Sequence, residues 1–237
     1  MSIFKDDFDF KRDGLIPAAI IVASVIVAGS IMVSANKIVK VFGNPGSVVA
    51  QGDIGAQDNG VKTDVSSRRD APTIGKGDVE IIEFSDFQCP FCKQFFTSAY
   101  KDIIAKYVDT GKVKLVYRHY PLPFHQNAQI AAEAAECANR QGKFKTYHDI
   151  LFTNSNSDGT GLSSTDLKKY AANLGLDTAK FNSCLDNGET KDVVAKDMKA
   201  AQDAGVTGTP TFFINGVKVV GALPFSEFQK VIEQELN

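Results

Sequence analysis

A chain of 237 residues, 43% of them hydrophobic and 23% charged, has the composition of a globular protein, which excludes wholesale disorder, collagen and coiled coil. The formal net charge of −2 provides no basic face, so we expect no nucleic-acid partner. Four cysteines are too few for a disulfide-stapled scaffold of this length.

A long apolar run lies near the N-terminus. No charged residue occurs between Asp13 and Lys37, and residues 15–35 are nearly all Ile, Val and Ala. A helix of this length would be roughly 31 Å long, which matches a hydrocarbon core of about 30 Å. We therefore predict a transmembrane anchor over 15–35, after a short cytoplasmic head at 1–14. The protein is then a single-pass protein of the cell membrane whose larger part is extracytoplasmic.

Two other interpretations of this run remain open. A cleaved signal peptide is compatible with the small residues Val33, Ser34 and Ala35, after which cleavage would occur. Against cleavage, the run exceeds the roughly 7–15 apolar residues of a signal peptide, and four aspartates precede it. A buried globular helix is disfavoured, because helices of soluble proteins keep a polar face.

Residues 36–72 are predicted to be a flexible linker. They are rich in Gly, Asp, Ser, Asn and Gln, and no helical or strand period persists among them. The alternative is a short strand near 61–65 that joins the edge of a sheet.

The segment 73–237 is predicted to be one α/β domain. A strand at 79–84, an amphipathic helix at 93–107 and a strand at 112–120 form a right-handed βαβ unit. Strands at 211–214 and 217–220, joined by an Asn-Gly turn, precede a last helix at 226–236. Between these halves lies a helical insertion at about 125–204, with helices near 126–140, 143–152, 165–174, 179–186 and 191–204.

The motif Cys89-Pro90-Phe91-Cys92 stands directly after a predicted strand and at the start of a predicted helix. Amides at a helix N-terminus carry partial positive charge, which stabilises a thiolate at Cys89 and lowers its pKa. Cys92, one turn inside the helix, is placed to attack that sulfur and close a reversible disulfide. A C-x-x-C pair in a βαβ unit therefore predicts a redox-active centre.

Two other interpretations of the motif are weaker. A zinc site needs two more ligands, but Cys137 and Cys184 lie far apart and His119, His125 and His148 lack the spacing. A purely structural disulfide within so tight a ring restrains little chain. We expect neither a metal nor a cofactor.

Two further features point to the same centre. Glu83 lies near the end of the buried strand, six residues before Cys89. A carboxyl group there would have a raised pKa and could carry protons during thiol exchange, unless it faces solvent at a sheet edge. Thr209-Pro210 precedes the penultimate strand, where a cis bond would turn the Thr209 backbone towards a neighbouring site.

Two separated motifs carry a family resemblance. Residues 83–92, EFSDFQCPFC, and 208–216, GTPTFFING, resemble the DsbA-like branch of the thioredoxin superfamily. Segments 118–122 and 144–152 are also similar, so the resemblance covers roughly 72–237. It implies a thioredoxin fold with a helical insertion between its βαβ and ββα halves.

The resemblance implies a role for each residue of the site. Cys89 would be the exposed nucleophile and Cys92 the resolving thiol, with Glu83 as the buried carboxyl group. Thr209 with a cis Pro210 would hold the substrate backbone beside the redox disulfide.

Phe91 is a departure from the best-known oxidase of the family, which has a thiolate-stabilising histidine at this position. Phe91 cannot act in that way, which suggests a less oxidising centre. With Phe87 and Phe95 it could form an apolar patch that binds unfolded substrates.

Cys137 and Cys184 both lie on apolar stripes of the helical insertion. Related proteins with cysteines at similar places join them in a structural disulfide, and export favours that bond here. Two buried free thiols are the alternative.

These features together predict a membrane-anchored, extracytoplasmic thiol:disulfide oxidoreductase that forms disulfides in unfolded, exported client proteins. A quinone-linked membrane partner would reoxidise it. A disulfide isomerase or reductase kept reduced by a membrane electron donor is one alternative. A tethered, non-catalytic holdase that binds clients through its apolar face is the other.

Overall fold

The structure is a computed structural model, and it describes residues 62–66 and 68–237. The predicted head, the anchor and most of the predicted linker lie outside the described residues. Among the helices that the structure describes, none combines the length and the apolar character needed to span a bilayer.

Five strands form one mixed sheet. They are β1 (Thr73–Gly75), β2 (Val79–Ser85), β3 (Val113–His119), β4 (Thr211–Ile214) and β5 (Val217–Val220). The order across the sheet is β1-β3-β2-β4-β5. Only the β2–β3 pair is parallel, and the other three pairs are antiparallel.

Eight α-helices surround this sheet in the described part of the chain. They are α1 (Pro90–Thr97), α2 (Ala99–Ile103), α3 (Ala128–Asn139), α4 (Phe144–Asn154), α5 (Ser164–Asn173), α6 (Thr178–Asp186), α7 (Lys191–Asp203) and α8 (Phe225–Glu235). Helices α3 to α7 lie between β3 and β4 in the chain, so they are the predicted insertion. The predicted α/β fold, with its βαβ and ββα halves, is confirmed.

The predicted helix at 93–107 is wrong in its continuity. The helical segment begins earlier, at Pro90, and breaks at Ser98, whose backbone angles of −116° and −100° are not helical. After α2, a π-helical turn at Ile104–Val108 ends the segment. Apolar spacing alone predicts the buried face of such a segment, but not where its axis changes direction.

Alternation along β2 divides the core into two sides. Ile81, Glu83 and Ser85 share one face of the strand, while Ile82 and Phe84 share the other. The first face meets the core beneath the active-site helix, and the second meets a smaller core with Ala71, Val116, Ala201, Val206 and Phe213. The redox motif, which follows β2 directly, is therefore fixed to a strand that is buried on both sides.

The structure differs from the predicted linker over its last part, which packs on the domain. We call residues 62–66 and 68–72 the N-terminal strap. The Thr63 amide donates to the Gly216 carbonyl group at 2.9 Å, and the Tyr117 amide donates to the Pro72 carbonyl group at 2.9 Å. No strand forms in residues 62–66. The three-residue β1 that follows was also missed, because it is too short to show a period.

Buried ion pairs hold this strap. Arg68 Nε lies 3.0 Å from Asp197, which is fully buried, and a second Arg68 nitrogen bonds Glu136. Arg118 Nε lies 2.6 Å from the same Asp197 oxygen, and its guanidinium group also donates to the Ser66 carbonyl group at 3.0 Å. The strap is thus bound to both the sheet and the helical insertion.

We predict that Arg68→Met destabilises the domain by about 2 kcal/mol, below the roughly 3–5 kcal/mol of a fully broken buried pair, because Arg118 still neutralises Asp197. Urea unfolding measures the change. The neighbouring exposed Arg69 provides the matched control, Arg69→Met, which should change the free energy of unfolding by under about 0.5 kcal/mol. Equal effects of the two variants would show that the strap does not contribute to stability.

Candidate active site

The two cysteines of the motif occupy the first turn of α1. Cys89 has extended backbone angles of −73° and 124° and immediately precedes the helix, so it is the N-cap residue. Pro90 occupies the first helical position, where a missing N–H costs nothing. The Lys93 amide donates to the Cys89 carbonyl oxygen at 3.1 Å, which closes the first turn. Both cysteines are free thiols in this structure.

Cys89 is less accessible than the resemblance implies. Only 3% of the residue is exposed, against 0% for Cys92, so the expectation of an exposed nucleophile is wrong. The thiol donates to the Thr209 carbonyl oxygen with 3.4 Å between the two atoms, which covers one side of the sulfur. The two residues that follow Cys89, Pro90 and Phe91, are both exposed.

The environment of Cys89 favours its thiolate form. A hydrogen bond from the Cys92 thiol is the main cause that lowers the pKa of Cys89 to about 6. Burial opposes this shift, whereas the Thr209 side chain and the amides of Cys92 and Phe91 add to it. The amide contribution is the effect of the helix N-terminus predicted from the sequence.

Cys92 has the opposite character. Its side chain is fully buried, and burial raises the pKa of its thiol well above the ordinary value. The hydrogen bond to Cys89 and the charge of that neighbour raise it further. At neutral pH the pair is thus one reactive thiolate beside one protonated thiol.

Glu83 lies in the core, not at a solvent-facing edge. It is 1% exposed, and burial raises the pKa of its carboxyl group to about 8, with the nearby Ser85 hydroxyl offsetting part of the shift. It pairs with Tyr117 on one side and with Phe212 on the other. A carboxyl group with this pKa is mostly protonated at pH 7 and able to give or take a proton near that pH.

The Thr209–Pro210 peptide bond is cis. Pro210 is buried and immediately precedes β4, and the Thr209 carbonyl group faces the Cys89 sulfur. The structure thus brings Thr209 next to Cys89 and Cys92, although it is more than 100 residues away from both in the sequence.

Among the three phenylalanines of the predicted apolar patch, only Phe91 is exposed, at 58%. Phe87 and Phe95 are each 1% exposed, so the patch of three is wrong. Phe87 stacks on Tyr117 with ring centroids 5.2 Å apart, and Phe95 packs on Phe212 at 4.6 Å. Both are therefore core residues that pack beneath the motif and do not form part of the surface.

Two residues that sequence reasoning missed hold the loop before Cys89. The buried Asp86 carboxylate accepts from the Gln88 amide at 2.7 Å and from the Leu122 amide at 2.9 Å, and contacts His125 Nδ1 at 2.7 Å. The Gln88 side chain donates to the Ser157 carbonyl group at 3.1 Å and accepts from the Asn127 amide at 2.9 Å. The sequence signal for them is an Asp and a Gln in an otherwise apolar run next to the motif.

Cys137 and Cys184 form a disulfide that joins α3 to α6. Their Cα atoms are 5.9 Å apart, and the bond spans 47 residues of sequence. Arg140 lies beside this disulfide, 3.9 Å from the Cys184 sulfur, and bonds Glu189 at 2.7 Å.

One cluster in the described residues brings three metal-ligand types together, namely His119, Glu136 and Asp197. Arg68 pairs with both carboxylates, and Arg118 pairs with Asp197. Because two guanidinium groups already neutralise the carboxylates, we interpret the cluster as an ion-pair network. The donor set does not favour a cation.

The sequence profile of the thioredoxin family matches residues 70–234. The chain belongs to the thioredoxin family. Its fold is similar to that of oxidised BdbD from Bacillus subtilis, with a TM-score of 0.66 and 26% sequence identity. The match covers 72% of this chain and 95% of BdbD. The chain is also similar to alpha-DsbA1 from Wolbachia pipientis, with a TM-score of 0.62, 26% identity, and coverage of 72% and 92%. The resemblance to the DsbA-like branch is confirmed.

The curated relatives include two different kinds of protein. Disulfide bond formation protein D of Bacillus subtilis (strain 168) is 29% identical over 191 residues, which are 76% of this chain and 84% of that protein. The Na(+)/H(+) antiporter NhaA 3 of Salinispora tropica is 39% identical over 153 residues, or 64% of this chain. The matched segment is only 21% of that antiporter, so the chain corresponds to about a fifth of its length.

We predict that alkylation of Cys89 in the reduced protein follows a titration with a midpoint near pH 6. Below this pH the rate should fall about tenfold per pH unit, because only the thiolate reacts, and above it the rate should level off. Cys92→Ala should move the midpoint upwards, since it removes the main hydrogen bond to Cys89. Iodoacetamide kinetics measure both profiles.

Cys92→Ser is the matched control for this experiment, because its hydroxyl group can still donate to the Cys89 sulfur. Its midpoint should lie between those of the unmodified protein and Cys92→Ala. An unchanged midpoint in Cys92→Ala would assign the low pKa to Thr209 and the helix amides.

Proposed function

We propose that this protein is a thiol:disulfide oxidoreductase that forms disulfide bonds in exported proteins. The observation that carries this proposal is the asymmetric pair at the start of α1, where Cys89 has a pKa of about 6 and Cys92 a strongly raised one. The similarity to BdbD and to disulfide bond formation protein D supports the same reaction class.

The reaction starts from the Cys89–Cys92 disulfide. A client thiolate attacks Cys89, forms a mixed disulfide and breaks the enzyme disulfide, so that Cys92 leaves as a thiolate and takes up a proton. A second client thiolate then attacks the client sulfur of the mixed disulfide and expels Cys89, whose low pKa makes it a good leaving group. The client loses two electrons and gains a disulfide, and the enzyme is left as the dithiol.

The neighbouring groups have distinct roles in this scheme. Glu83 is the buried proton donor and acceptor for Cys92, because its pKa of about 8 keeps a proton available at neutral pH. Thr209 and Pro210 are proposed to bind the client backbone beside Cys89, and Phe91 offers an apolar contact for it. Cys137 and Cys184 are proposed to act only structurally.

We propose that the domain works outside the cytoplasm. The anchor at 15–35 would hold it at the membrane through a linker that ends near residue 62, where the N-terminal strap begins. Reoxidation by a quinone-linked membrane partner would complete the cycle, and the tether would raise the effective concentration for that encounter. The antiporter relatives support a location at a membrane. Their names describe ion exchange, and the matched segment in them belongs to a much longer chain.

One observation argues against a strongly oxidising Cys89–Cys92 disulfide. Phe91 lies between the cysteines and cannot carry charge, so the thiolate lacks stabilisation by an imidazole side chain. A disulfide isomerase or reductase therefore remains the second candidate. A non-catalytic holdase is disfavoured, because Phe87 and Phe95 of the predicted client-binding patch are buried.

We expect Cys89→Ser to abolish disulfide formation in reduced, unfolded ribonuclease by the oxidised full-length protein, because no sulfur then receives the client thiolate. The unmodified protein should form one client disulfide per Cys89–Cys92 pair consumed. Thiol counting with a maleimide reagent measures both. Undiminished oxidation by Cys89→Ser would refute the proposed centre.

We expect Phe91→His to raise the reduction potential of the Cys89–Cys92 couple by on the order of 30 mV, because an imidazole group stabilises the thiolate of the reduced form. Equilibration with glutathione buffers measures this potential. Phe91→Leu is the control, since it removes the ring and adds no charge, and its potential should stay near that of the unmodified protein. A potential of the unmodified protein near that of thioredoxin would favour the reductant.

A further inference from the structure

Three buried oxygen atoms without hydrogen-bond partners lie on one face of the sheet beneath the cysteines. Glu83 and Ser85 are two residues apart on β2 and therefore share a face. Tyr117 on β3 is the register partner of Glu83 and extends that face sideways. Glu83 Oε2, Ser85 Oγ and the Tyr117 hydroxyl oxygen have no hydrogen-bond partner among the described residues.

Polar atoms without hydrogen-bond partners are costly to bury. Each unpaired buried donor or acceptor costs about 1–3 kcal/mol, and three at one place are not expected unless they serve a purpose. The other neighbour of Glu83 in the sheet is Phe212, so an apolar side chain is tolerated at this depth. The polar groups therefore call for a functional explanation.

Ser85 is central to this group. Its hydroxyl lies near Cys92, Glu83 and Tyr117, and this proximity offsets part of the rise in the pKa of each. It forms no hydrogen bond to any of them in this structure, so the hydroxyl group is not committed to one partner. A hydroxyl group accepts and donates at once, which is what passing a proton requires.

Several other titratable groups face this site. They are Cys89 at the start of α1 and Cys92 within it, Tyr100 from α2, Tyr117 and His119 from β3, His148 from α4 and Asp86 after β2. His119 is the register partner of Ser85; its Nε2 lies 3.1 Å from Glu136, and its Nδ1 has no hydrogen-bond partner among the described residues. Asp86 is occupied by two amides and His125, and His148 Nδ1 by Asp149 at 2.8 Å. Burial raises the pKa of both tyrosines, so neither ionises near neutral pH.

We propose that the Ser85 hydroxyl passes a proton between the Glu83 carboxyl group and the Cys92 sulfur, and that the Tyr117 hydroxyl is a positioning group for Ser85. This inference rests on the proposed function. When a client breaks the Cys89–Cys92 bond, the Cys92 thiolate accepts the Ser85 proton while Ser85 accepts the Glu83 proton. The products are a Cys92 thiol and a Glu83 carboxylate. The reverse transfer activates Cys92 when it attacks a mixed disulfide at Cys89.

The reverse direction gives the cleaner experiment, carried out on the reduced full-length protein with glutathione disulfide. In the first step the Cys89 thiolate forms a mixed disulfide and releases one glutathione. In the second step Cys92 loses its proton, attacks Cys89 and releases the second glutathione. Acid quenching and mass spectrometry follow both steps between pH 5 and 9.

Ser85→Ala should slow the second step about tenfold, at the low end of what general acid–base catalysis contributes, and leave the first step unchanged. Tyr117→Phe should slow it by a smaller factor. Ser85→Thr keeps the hydroxyl group and should restore the rate. The slowing in Ser85→Ala should be largest below pH 8 and shrink at higher pH, where hydroxide can deprotonate Cys92.

Tyr147→Phe is the matched control for Tyr117→Phe. Tyr147 is also fully buried, but its hydroxyl group donates to the Leu167 carbonyl group at 2.9 Å, away from the cysteines. It should leave both steps unchanged. An intact first step in every variant shows that the domain has folded.

The outcomes separate the two hypotheses. If the unmodified protein forms no mixed disulfide, the proposed function fails. If it forms one, and the second step of Ser85→Ala matches the unmodified protein at every pH, the relay through Ser85 is wrong. If Ser85→Thr is as slow as Ser85→Ala, the loss reflects packing, and the relay is equally wrong.

Discussion

The hydrogen bond from the Cys92 thiol to the Cys89 sulfur is the interaction on which the chemistry of this site depends. It lowers the pKa of one cysteine and raises that of the other. Two identical side chains thereby become a leaving group and a buried proton carrier. The helix start adds to this difference, because Cys89 is the N-cap residue and receives the Phe91 and Cys92 amides, whereas Cys92 lies inside α1. Depth adds to it as well, since Cys92 is fully buried and its burial raises its pKa.

That depth is set by β2. The strand is buried on both faces, and the loop that follows it is tied by Asp86 to the β3–α3 connection and by Gln88 to the α4–α5 connection. The strap covers the opposite face of the same strand through Ala71 and Val65, next to Ile82 and Phe84. The sulfur positions are therefore held by a rigid frame on every side except that of Pro90 and Phe91, which is the arrangement that preorganised exchange requires.

Much of this frame could be predicted from the sequence. The strands β4 and β5 begin and end at the residues predicted on either side of the Asn-Gly turn, and the five helices of the insertion agree within two residues at each end. The C-x-x-C motif and the buried Glu83 were identified because a pair of reactive residue types next to an apolar strand is a local pattern.

The features that could not be predicted depend on contacts distant in sequence. Arg68 was assigned to a linker because its partners, Asp197 and Glu136, are more than 60 residues away. Phe87 and Phe95 were assigned to a surface because nothing near them in the sequence shows which side of α1 the core covers. The exposure of Cys89 was overestimated for the same reason, since the Thr209 carbonyl group that covers it arrives from another part of the chain.

The buried polar groups beneath the cysteines follow from the same principle. Burial in the low-dielectric core raises the pKa of Glu83 to about 8. The pKa stays high only if few hydrogen-bond donors contact the carboxylate, because such donors favour the ionised form. Fully satisfied polar groups would be more stable, but hydrogen bonds to the ionised form would return the pKa of Glu83 to the acidic range. A stable core and a proton donor active near pH 7 therefore place opposite demands on these positions. Under the proposed relay, the unpaired oxygens of Glu83, Ser85 and Tyr117 meet the second demand, while Tyr147, equally buried but distant from the cysteines, keeps its hydrogen bond.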